Sequence, residues 1–300
     1  MIDPPDERDD HEPAPDAEAS DRRGVLSIVA TPIGNLEDIT LRALRTLREA
    51  SIVLAEDTRR TRVLCQQHGL SCQLRSFHAY SDEHAVEQIV KELGRGKRIA
   101  LVTDAGTPLL SDPGAALVAA AYGGGARVES IPGASAITAA LTVAGLPVDT
   151  FRFLGFLPRS GRRRREALES IEADRSASVV FESPQRLAAT LAELRDRFEP
   201  AREIAVCREL TKLHEEVVRG PIAEVAARFE AGARGEITIV IAGRERAKES
   251  QISEEALDAR ITELLSEGSS ARDAAHALAI ETGLRKQAVY ARIQQLKGRA

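Results

Sequence analysis

The segment I-A-L-V-T-D-A-G-T-P-L-L-S-D-P-G at residues 99–114 constrains the fold of this chain more than any other. Residues 99–102 form an apolar run long enough for a buried strand, and the polar, glycine- and proline-containing residues 103–112 cannot continue it. An apolar helical run follows at residues 115–121. A small-residue loop at the carboxyl end of a parallel strand is where open α/β sheets bind ligands, so this loop is a candidate ligand site.

The same alternation of apolar runs and helical patterns extends over the first half of the chain. Strands are predicted at residues 25–30, 52–55, 73–77, 99–102 and 127–131. Amphipathic helical spacing follows the first run, where Leu41, Leu44 and Leu47 recur with arginines between them. Strands that alternate with helices at these lengths predict βαβ units and a parallel sheet. We assign residues 24–148 to a first α/β domain.

The second half of the chain has a different spacing of predicted strands and helices. Strands are predicted at residues 151–156, 178–181, 203–207, 214–219 and 236–242. Ser183 and Pro184 supply a helix cap and a proline at the first helical position, so a helix is predicted over residues 184–198. This spacing predicts a second α/β domain, residues 149–245, with a more mixed sheet.

The two ends of the chain differ in composition. Residues 1–21 hold nine acidic residues against one arginine, and residues 1–23 are predicted to be a disordered acidic tail because they have few bulky apolar side chains. Without residues 1–21 the chain has 40 basic and 37 acidic residues, a mild basicity that permits a nucleic-acid partner. Residues 253–300 are purely helical in pattern and resemble a helix-turn-helix module.

Several function classes are excluded by what the sequence lacks. Cys65, Cys72 and Cys207 are odd in number and lack the spacing of metal ligands, so we expect reduced thiols and no metal. Neither a P-loop nor a G-x-G-x-x-G fingerprint is present. No secretory signal pattern and no apolar run of about 18 residues occurs, so a cytoplasmic protein without a membrane partner is expected.

Three turns at the carboxyl ends of predicted parallel strands share one composition. Residues 31–35, 104–112 and 132–136 are rich in Gly, Pro and hydroxyl side chains. Such turns leave backbone groups accessible to a folded polar ligand, which favours a cofactor site. For residues 104–112 the alternative is an ordinary strand-to-helix turn, with Asp112 capping the helix that follows.

Six ordered motifs resemble those of a known family. They are T-P-I-G-N-L-E-D-I-T (31–40), A-E-D-T-R (55–59), V-T-D-A-G-T-P-L-L-S-D-P-G (102–114), I-P-G-A-S-A (131–136), G-F-L-P-R (155–159) and R-E-L-T-K (208–212). Together they resemble the tetrapyrrole methylase superfamily, and most closely its bacterial branch of 16S rRNA (cytidine-2'-O)-methyltransferases. The T-P-I-G-N turn, which replaces the Gly-Pro-Gly-Asp turn of tetrapyrrole-acting members, and the helical tail favour this branch.

The resemblance implies two α/β domains with a cofactor cleft between them, a small helical tail and a homodimer. It further implies S-adenosylmethionine as cofactor and 2'-O-methylation of a cytidine ribose in 16S rRNA, at the decoding centre of the small subunit. The implied cofactor residues are Pro32, Asp104, Ala105, Gly106, Thr107, Ser111, Ser135 and Ala136 of the first domain, with Phe181, Glu182 and Leu210 of the second.

The implied chemistry needs a group that takes a proton from the ribose 2'-hydroxyl, which is a weak nucleophile. Glu56 and Asp57, at the end of a predicted strand, are the leading candidates, and His78 and Glu182 are others. The alternative for Glu56 and Asp57 is helix capping or pairing with Arg59.

Clusters of basic residues are candidates for binding RNA phosphates. They are Arg59, Arg60, Arg62, Arg162, Arg163, Arg164, Arg165, Arg285 and Lys286. The alternative for each cluster is a solvated face. Two other functions stay open. One is a ligand-sensing DNA-binding regulator that uses the helical tail, which is disfavoured because the tail is short and only moderately basic. The other is a precorrin-type tetrapyrrole methylase, which the arginine clusters disfavour.

Overall fold

The first half of the chain contains a five-stranded parallel sheet. The computed structural model describes residues 23–78, 83–112, 114–244, 253–282, 284 and 286–297. The strands of this sheet are β1 (Val25–Val29), β2 (Ile52–Ala55), β3 (Leu74–Ser76), β4 (Arg98–Val102) and β5 (Arg127–Ile131). Their order across the sheet is β3-β2-β4-β1-β5, with every neighbouring pair parallel. The predicted parallel sheet is confirmed.

Helices cover both faces of this sheet. They are α1 (Leu41–Glu49) and α2 (Thr58–Gln67) on one face and α3 (Glu83–Gly94) and α4 (Ala115–Gly123) on the other; a 3-10 turn at Leu36–Asp38 precedes α1, and α5 (Ala136–Val143) follows β5. In β4, Ile99 and Leu101 pack with α3 and α4, whereas Ala100 and Val102 pack with α1 and α2. Successive strand residues point to opposite faces, so a strand covered on both faces is apolar throughout. The sequence pattern predicts a helix over residues 62–68 after the second strand, but α2 begins four residues earlier, at Thr58, because Asp57 caps it.

The second half contains a mixed sheet, as predicted. Its elements are β6 (Phe151–Phe156), α6 (Gly161–Ala173), β7 (Ala177–Glu182), α7 (Pro184–Arg197), β8 (Glu203–Arg208), β9 (Glu216–Pro221), α8 (Ile222–Arg228) and β10 (Ile237–Ile241). The order is β6-β7-β10-β8-β9, with β6 and β7 parallel and the other pairs antiparallel. Helices α6, α7 and α8 cover one face of this sheet.

Helix α5 covers the other face of the second sheet. Ile137 and Ala140 of α5 share a core cluster with Val179, Ala205 and Val240 of the second sheet. The helix that ends the first α/β unit in sequence therefore packs in the core of the second. This packing of α5 holds the two sheets next to each other, and α5 lies at the base of the space between them.

The carboxyl-terminal segment is helical, as predicted. Helices α9 (Glu254–Ser266), α10 (Ala271–Thr282) and α11 (Lys286–Lys297) pack around a small apolar core of their own. Arg292 donates two hydrogen bonds of 2.7 Å each to the carboxylate of Asp258 and ties α11 to α9. The predicted acidic tail, apart from Arg23, lies outside the described residues. In the part of the chain that is described, no helix is long and apolar enough to cross a membrane.

Candidate functional site

The loops that follow β1 and β4 are joined directly to each other. Thr31 N–H donates to Gly106 O at 2.9 Å, and Gly106 N–H donates to Thr31 O at 3.0 Å. Gly106 has a φ of +81°, and a Cβ added there would lie 3.3 Å from Ile33 Cγ2. A glycine therefore allows both the turn and the close approach of the two loops. The T-P-I-G-N and T-D-A-G-T-P motifs form one continuous surface.

Asp104 connects the loops after β2 and β4. Its carboxylate accepts the backbone N–H of Asp57 at 3.0 Å and lies 3.5 Å from the Arg60 guanidinium. Farther along the loop, Leu109 and Ser111 adopt left-handed conformations, with φ of 75° and 69°. Backbone strain at residues other than glycine concentrates at functional sites because the surrounding structure must impose it.

Asp112 does not cap the helix that follows, which was the alternative for this loop. Its carboxylate accepts a 2.7 Å hydrogen bond from Thr103 Oγ1, and α4 begins beyond it with Gly114 as its N-cap and no side-chain cap bond. Asp112 is half-buried beside Asp104, and burial together with that second carboxylate raises the pKa of Asp112. The loop is thus built to hold two carboxylates next to each other.

A cleft of about 400 Å³ lies between the two sheets, over α5. Nine of the eleven predicted cofactor residues line it: Asp104, Ala105, Gly106, Thr107, Ser111, Ser135, Ala136, Phe181 and Glu182. Pro32 instead lines a neighbouring cavity, and Leu210 is buried in the core against α5. The structure therefore brings together residues of two loops and one strand end that are far apart in sequence.

Several lining residues are not among the predicted cofactor residues, although Ile33 and Phe156 lie within two of the quoted motifs. Ile33, Ile137 and Phe156 supply apolar surface, and residues 235–238 form part of the wall from the second domain. The last group reaches the cleft because β10 is antiparallel to β7, with Ile237 paired to Glu182. The start of one strand then lies beside the end of the other. The local sequence gives no sign of this pairing.

The residues present fit S-adenosylmethionine, which carries a sulfonium cation, an amino acid group and an adenosine. The cleft volume is in the range of small-molecule sites. Asp104 and Asp112 place negative charge on one wall, whereas Phe181 and Ile137 place apolar surface on another. A Cβ at Gly106 would narrow the space toward Ile33. These carboxylates and apolar side chains suit a folded cationic ligand that carries a flat aromatic base.

Asp57 acts as a cap, the alternative that the sequence left open. Its Oδ1 accepts the Arg59 N–H at 2.8 Å at the start of α2, and the Arg59 guanidinium lies 2.7 Å from Oδ2. These hydrogen bonds hold the pKa of Asp57 well below its usual range. A carboxylate so engaged is a poor proton acceptor at neutral pH.

Glu56 has the opposite environment. Its side chain is exposed and lies near Asp104, Asp112 and His78. Partial burial and the two neighbouring carboxylates raise the pKa of Glu56, and the nearby His78 lowers it by a smaller amount. Of the two leading candidates, Glu56 is the one that the structure leaves able to accept a proton.

Glu182 is fully buried and engaged within the second domain. It accepts hydrogen bonds from Thr190 Oγ1 at 2.7 Å and from Ser183 N–H at 2.8 Å, and Arg186 Nε lies 3.3 Å away. Arg186 also donates to Leu157 O at 2.9 Å. The carboxylate therefore positions the F-L-P-R loop, and it does not present a free proton acceptor to the cleft.

Arg164 was expected to contact RNA, and the structure corrects this. The residue is 8% exposed, donates to Glu193 at 2.7 Å and to Thr190 at 3.0 Å, and also reaches Pro158 O at 3.0 Å. Helical spacing turns this one arginine of the run inward because α6 buries one face.

The other predicted RNA-binding residues are exposed but differ in their partners. Arg59, Arg60 and Arg162 form ion pairs with Asp57, Asp104 and Glu166. Arg62, Arg163 and Arg165 are exposed and have no ion pair to any residue in the described ranges. Lys286 is exposed at the start of α11, and Arg285 lies outside the described residues.

Comparison with known proteins gives strong matches over most of the chain. A family model described as Tetrapyrrole (Corrin/Porphyrin) Methylases matches residues 25–226. A ribosomal RNA small subunit methyltransferase I of Thermotoga maritima is 46% identical over 223 residues, covering 74% of this chain and 100% of that protein. The protein of the same name from Pseudomonas aeruginosa is 40% identical, covering 92% of this chain and 99% of its own length.

Solved structures give the same architecture at low sequence identity. A uroporphyrin-III-C-methyltransferase from Thermus thermophilus is 22% identical with a TM-score of 0.53, covering 73% of this chain and 94% of that one. The cobalt precorrin-4 methyltransferase CbiF is 18% identical with a TM-score of 0.57 and the same coverage. These likenesses establish the fold alone. The family match and the close relatives go further, and the chain belongs to the tetrapyrrole methylase family of S-adenosylmethionine-dependent methyltransferases.

Proposed function

We propose that this chain methylates the ribose 2'-hydroxyl of a cytidine in 16S rRNA, at the decoding centre of the small ribosomal subunit. The coarser statement, that it is an S-adenosylmethionine-dependent rRNA methyltransferase, follows from relatives of that name at 39–46% identity. The observation that carries the finer proposal is the position of the cleft. Arg60 of α2 lines it, and Arg62, which has no ion pair to any described residue, lies two residues farther along the same helix.

The residues of the cleft, and Glu56 near its carboxylates Asp104 and Asp112, have separate tasks in this proposal. Bound S-adenosylmethionine supplies an electrophilic methyl group. Asp104 and Asp112 provide the negative wall that favours a cationic ligand, and the joined loops at Thr31 and Gly106 fix its orientation. Glu56, with its raised pKa, accepts the proton that the 2'-hydroxyl loses. The apolar wall of Phe181 and Ile137 keeps competing water out.

Exposed arginines of both domains support a polyanionic substrate. Arg62 lies on α2 of the first domain, and Arg163 and Arg165 lie on α6 of the second. Guanidinium groups without acidic partners are free to bind phosphates, which position an RNA without reading its sequence. Arg60 of α2 lines the cleft, and α6 follows Phe156, which also lines it, so RNA held by the two helices would pass close to the cleft.

We further propose a homodimer that meets its ribosomal substrate in the cytoplasm. Phe151 is 47% exposed and Leu154 is 36% exposed on β6, an outer strand of the second sheet. An apolar edge strand is a surface that proteins usually cover. Light scattering coupled to gel filtration would report twice the chain mass, and a monomer at micromolar concentration would contradict the dimer.

The function is tested by incubating the protein with S-adenosylmethionine labelled in its methyl group and small ribosomal subunits that lack the modification. We expect label in a single cytidine of 16S rRNA, in a nucleotide whose 3' linkage resists alkali because its 2'-oxygen is methylated. Label on a base would refute ribose methylation, and the absence of label in subunits and in free rRNA would refute the proposal. Asp104→Lys serves as the cofactor-deficient control.

A further inference from the structure

A second cavity of about 260 Å³ adjoins the cofactor cleft and is built from the first domain. The two spaces share Arg60, Thr103 and Asp104 as a common wall. The far side of the second cavity is formed by the turn after β1, with Pro32 and Leu36, and by α2. A ligand in this cavity would touch the same three residues as a ligand in the cleft, from the other side.

The walls of this cavity differ from those of the cleft. Pro32, Leu36, Val63 and Leu64 give it apolar sides, and Val63 is 57% exposed at its rim. Polar groups concentrate at the shared wall, where the Arg60 guanidinium lies 3.5 Å from the Asp104 carboxylate. A flat apolar ligand with a polar edge matches this arrangement, because its faces would meet side chains and its edge would meet the charged pair.

The charged pair presents hydrogen-bond donors next to an acceptor. The pairing edge of cytosine carries an amino group, which donates, beside a ring nitrogen and a carbonyl oxygen, which accept. A carboxylate suits the amino group of cytosine, and a guanidinium suits its two acceptors. Uracil has a carbonyl oxygen in place of the amino group and would set it against the carboxylate. The pair therefore favours cytosine over uracil.

We propose that this second cavity receives the cytosine base of the target nucleotide, turned out of its RNA strand, with the pairing edge at the Arg60–Asp104 pair and the ribose outside the cavity, next to the adjoining cofactor cleft. The inference rests on the proposed function and adds the place where the substrate base binds. It gives Pro32 a new role, because this residue contacts the acceptor base instead of the cofactor. Enzymes that act on a single nucleotide commonly hold the extruded base in such a pocket.

Arg62 supports a nucleotide as the occupant. It is exposed between Thr61 and Val63, two residues that line the cavity, and it has no ion pair to any described residue. An arginine at this place suits the phosphates that flank the base. A neutral apolar metabolite would gain nothing from it.

The experiment blocks the second cavity with larger side chains, at residues that do not line the cofactor cleft. Val63→Trp and Leu36→Trp each add an indole from a different wall, and neither residue lines the cleft. We expect kcat/KM for the small subunit to fall about 100-fold, the loss typical of a displaced reacting group, while cofactor affinity and melting temperature stay near those of the unmodified protein. Ile280→Trp, which adds the same indole on exposed α10, should leave kcat/KM unchanged.

A change of substrate gives an independent readout. Small subunits reconstituted with uridine at the target position should be methylated about 10- to 100-fold more slowly than those with cytidine, as expected for one wrong base contact. Normal kcat/KM in both tryptophan variants would overturn the cavity proposal, and so would equal rates on cytidine and uridine. Failure of the proposed function is a distinct result, since the unmodified protein would then put no label on any ribose.

Discussion

The backbone N–H of Asn35 donates a 3.1 Å hydrogen bond to the hydroxyl of Thr211, 176 residues away. This bond joins the T-P-I-G-N turn of the first domain to the R-E-L-T-K segment of the second. Thr211 adopts a left-handed conformation with a φ of 65°, as does its neighbour Glu209 at 52°. The strain on this segment is consistent with a site where two domains must meet in one arrangement.

Gly34→Ala should separate the domains at this contact. A Cβ at Gly34 would lie 2.4 Å from Lys212 Cγ and 2.9 Å from Leu210 O, so the backbone of one domain must move. We expect a loss of about 1–3 kcal/mol in the free energy of unfolding and weaker cofactor binding, measured by chemical denaturation and calorimetry. Gly123→Ala, where a Cβ meets nothing within 4 Å, is the matched control and should not destabilise. Equal behaviour of the two variants would contradict the contact.

Asp104→Lys should abolish cofactor binding. The change places a second cation beside the sulfonium and removes the acceptor of the Asp57 N–H. We expect an affinity at least about 100-fold lower by calorimetry, since a reversed charge at short range costs several kcal/mol. Asp104→Asn keeps the size and an acceptor oxygen and should have an intermediate effect. Unchanged cofactor affinity in the lysine variant would show that this loop is not part of the cofactor site.

Glu56→Gln should lower kcat about 100- to 10,000-fold while leaving cofactor affinity nearly unchanged, as expected for loss of a general base. In the unmodified protein the rate should rise with pH through the raised pKa of Glu56. That acid limb should vanish in the variant. A normal kcat for Glu56→Gln would refute the role of Glu56 as the base.

The same residue predicts a direction for stability. Because folding raises the pKa of Glu56, its contribution to stability is present below the unfolded pKa and is lost as pH rises through the folded pKa. Glutamine has no charge to bring near Asp104 and Asp112. The melting temperature of the variant should therefore equal or exceed that of the unmodified protein at pH 7, and a lower value would contradict the shift.

Substitutions of the neighbouring residues Arg163 and Arg164 should have different effects, the first on RNA binding and the second on stability. Arg164→Met leaves Glu193 and Thr190 without their donor and should cost about 2–4 kcal/mol in the free energy of unfolding. Arg163→Ala should leave stability unchanged and weaken RNA binding, with a smaller dependence of affinity on salt. Denaturation and filter binding at several salt concentrations separate the two effects. Reversed phenotypes would contradict the burial pattern of α6.

The three thiols should react at different rates with iodoacetamide. Burial raises the pKa of Cys207 to about 12, and burial with the adjacent Cys72 raises the pKa of Cys65 to about 12. Cys72 is half-buried and has its sulfur 3.0 Å from that of Cys65. At pH 8 mass spectrometry should find Cys72 alkylated first, because the other two hold few thiolates. Rapid labelling of Cys207 in the folded protein would contradict its burial.

Local patterns in the sequence were enough to predict most of the strands. The strands at Ile52–Ala55, Arg127–Ile131 and Phe151–Phe156 begin and end at the predicted residues, because each is an apolar or alternating run bounded by turn residues. The sequence also predicts the loops that line the cleft, since glycine, proline and hydroxyl residues mark turns at strand ends. Helix α2 begins before its predicted start because Asp57 caps it, and its first four residues are polar and show no apolar periodicity.

The sequence by itself determined the two α/β units, the helical tail and the loops that line the cleft, because these depend on short-range periodicity and turn chemistry. The tertiary structure alone decided that α5 packs against the second sheet, that β10 brings residues 235–238 to the cleft, and that Arg164 points inward. It also decided that Asp57 is engaged while Glu56 is available. These outcomes depend on which surfaces meet across long separations in the chain, and hydrophobic spacing along one segment carries no information about its partner.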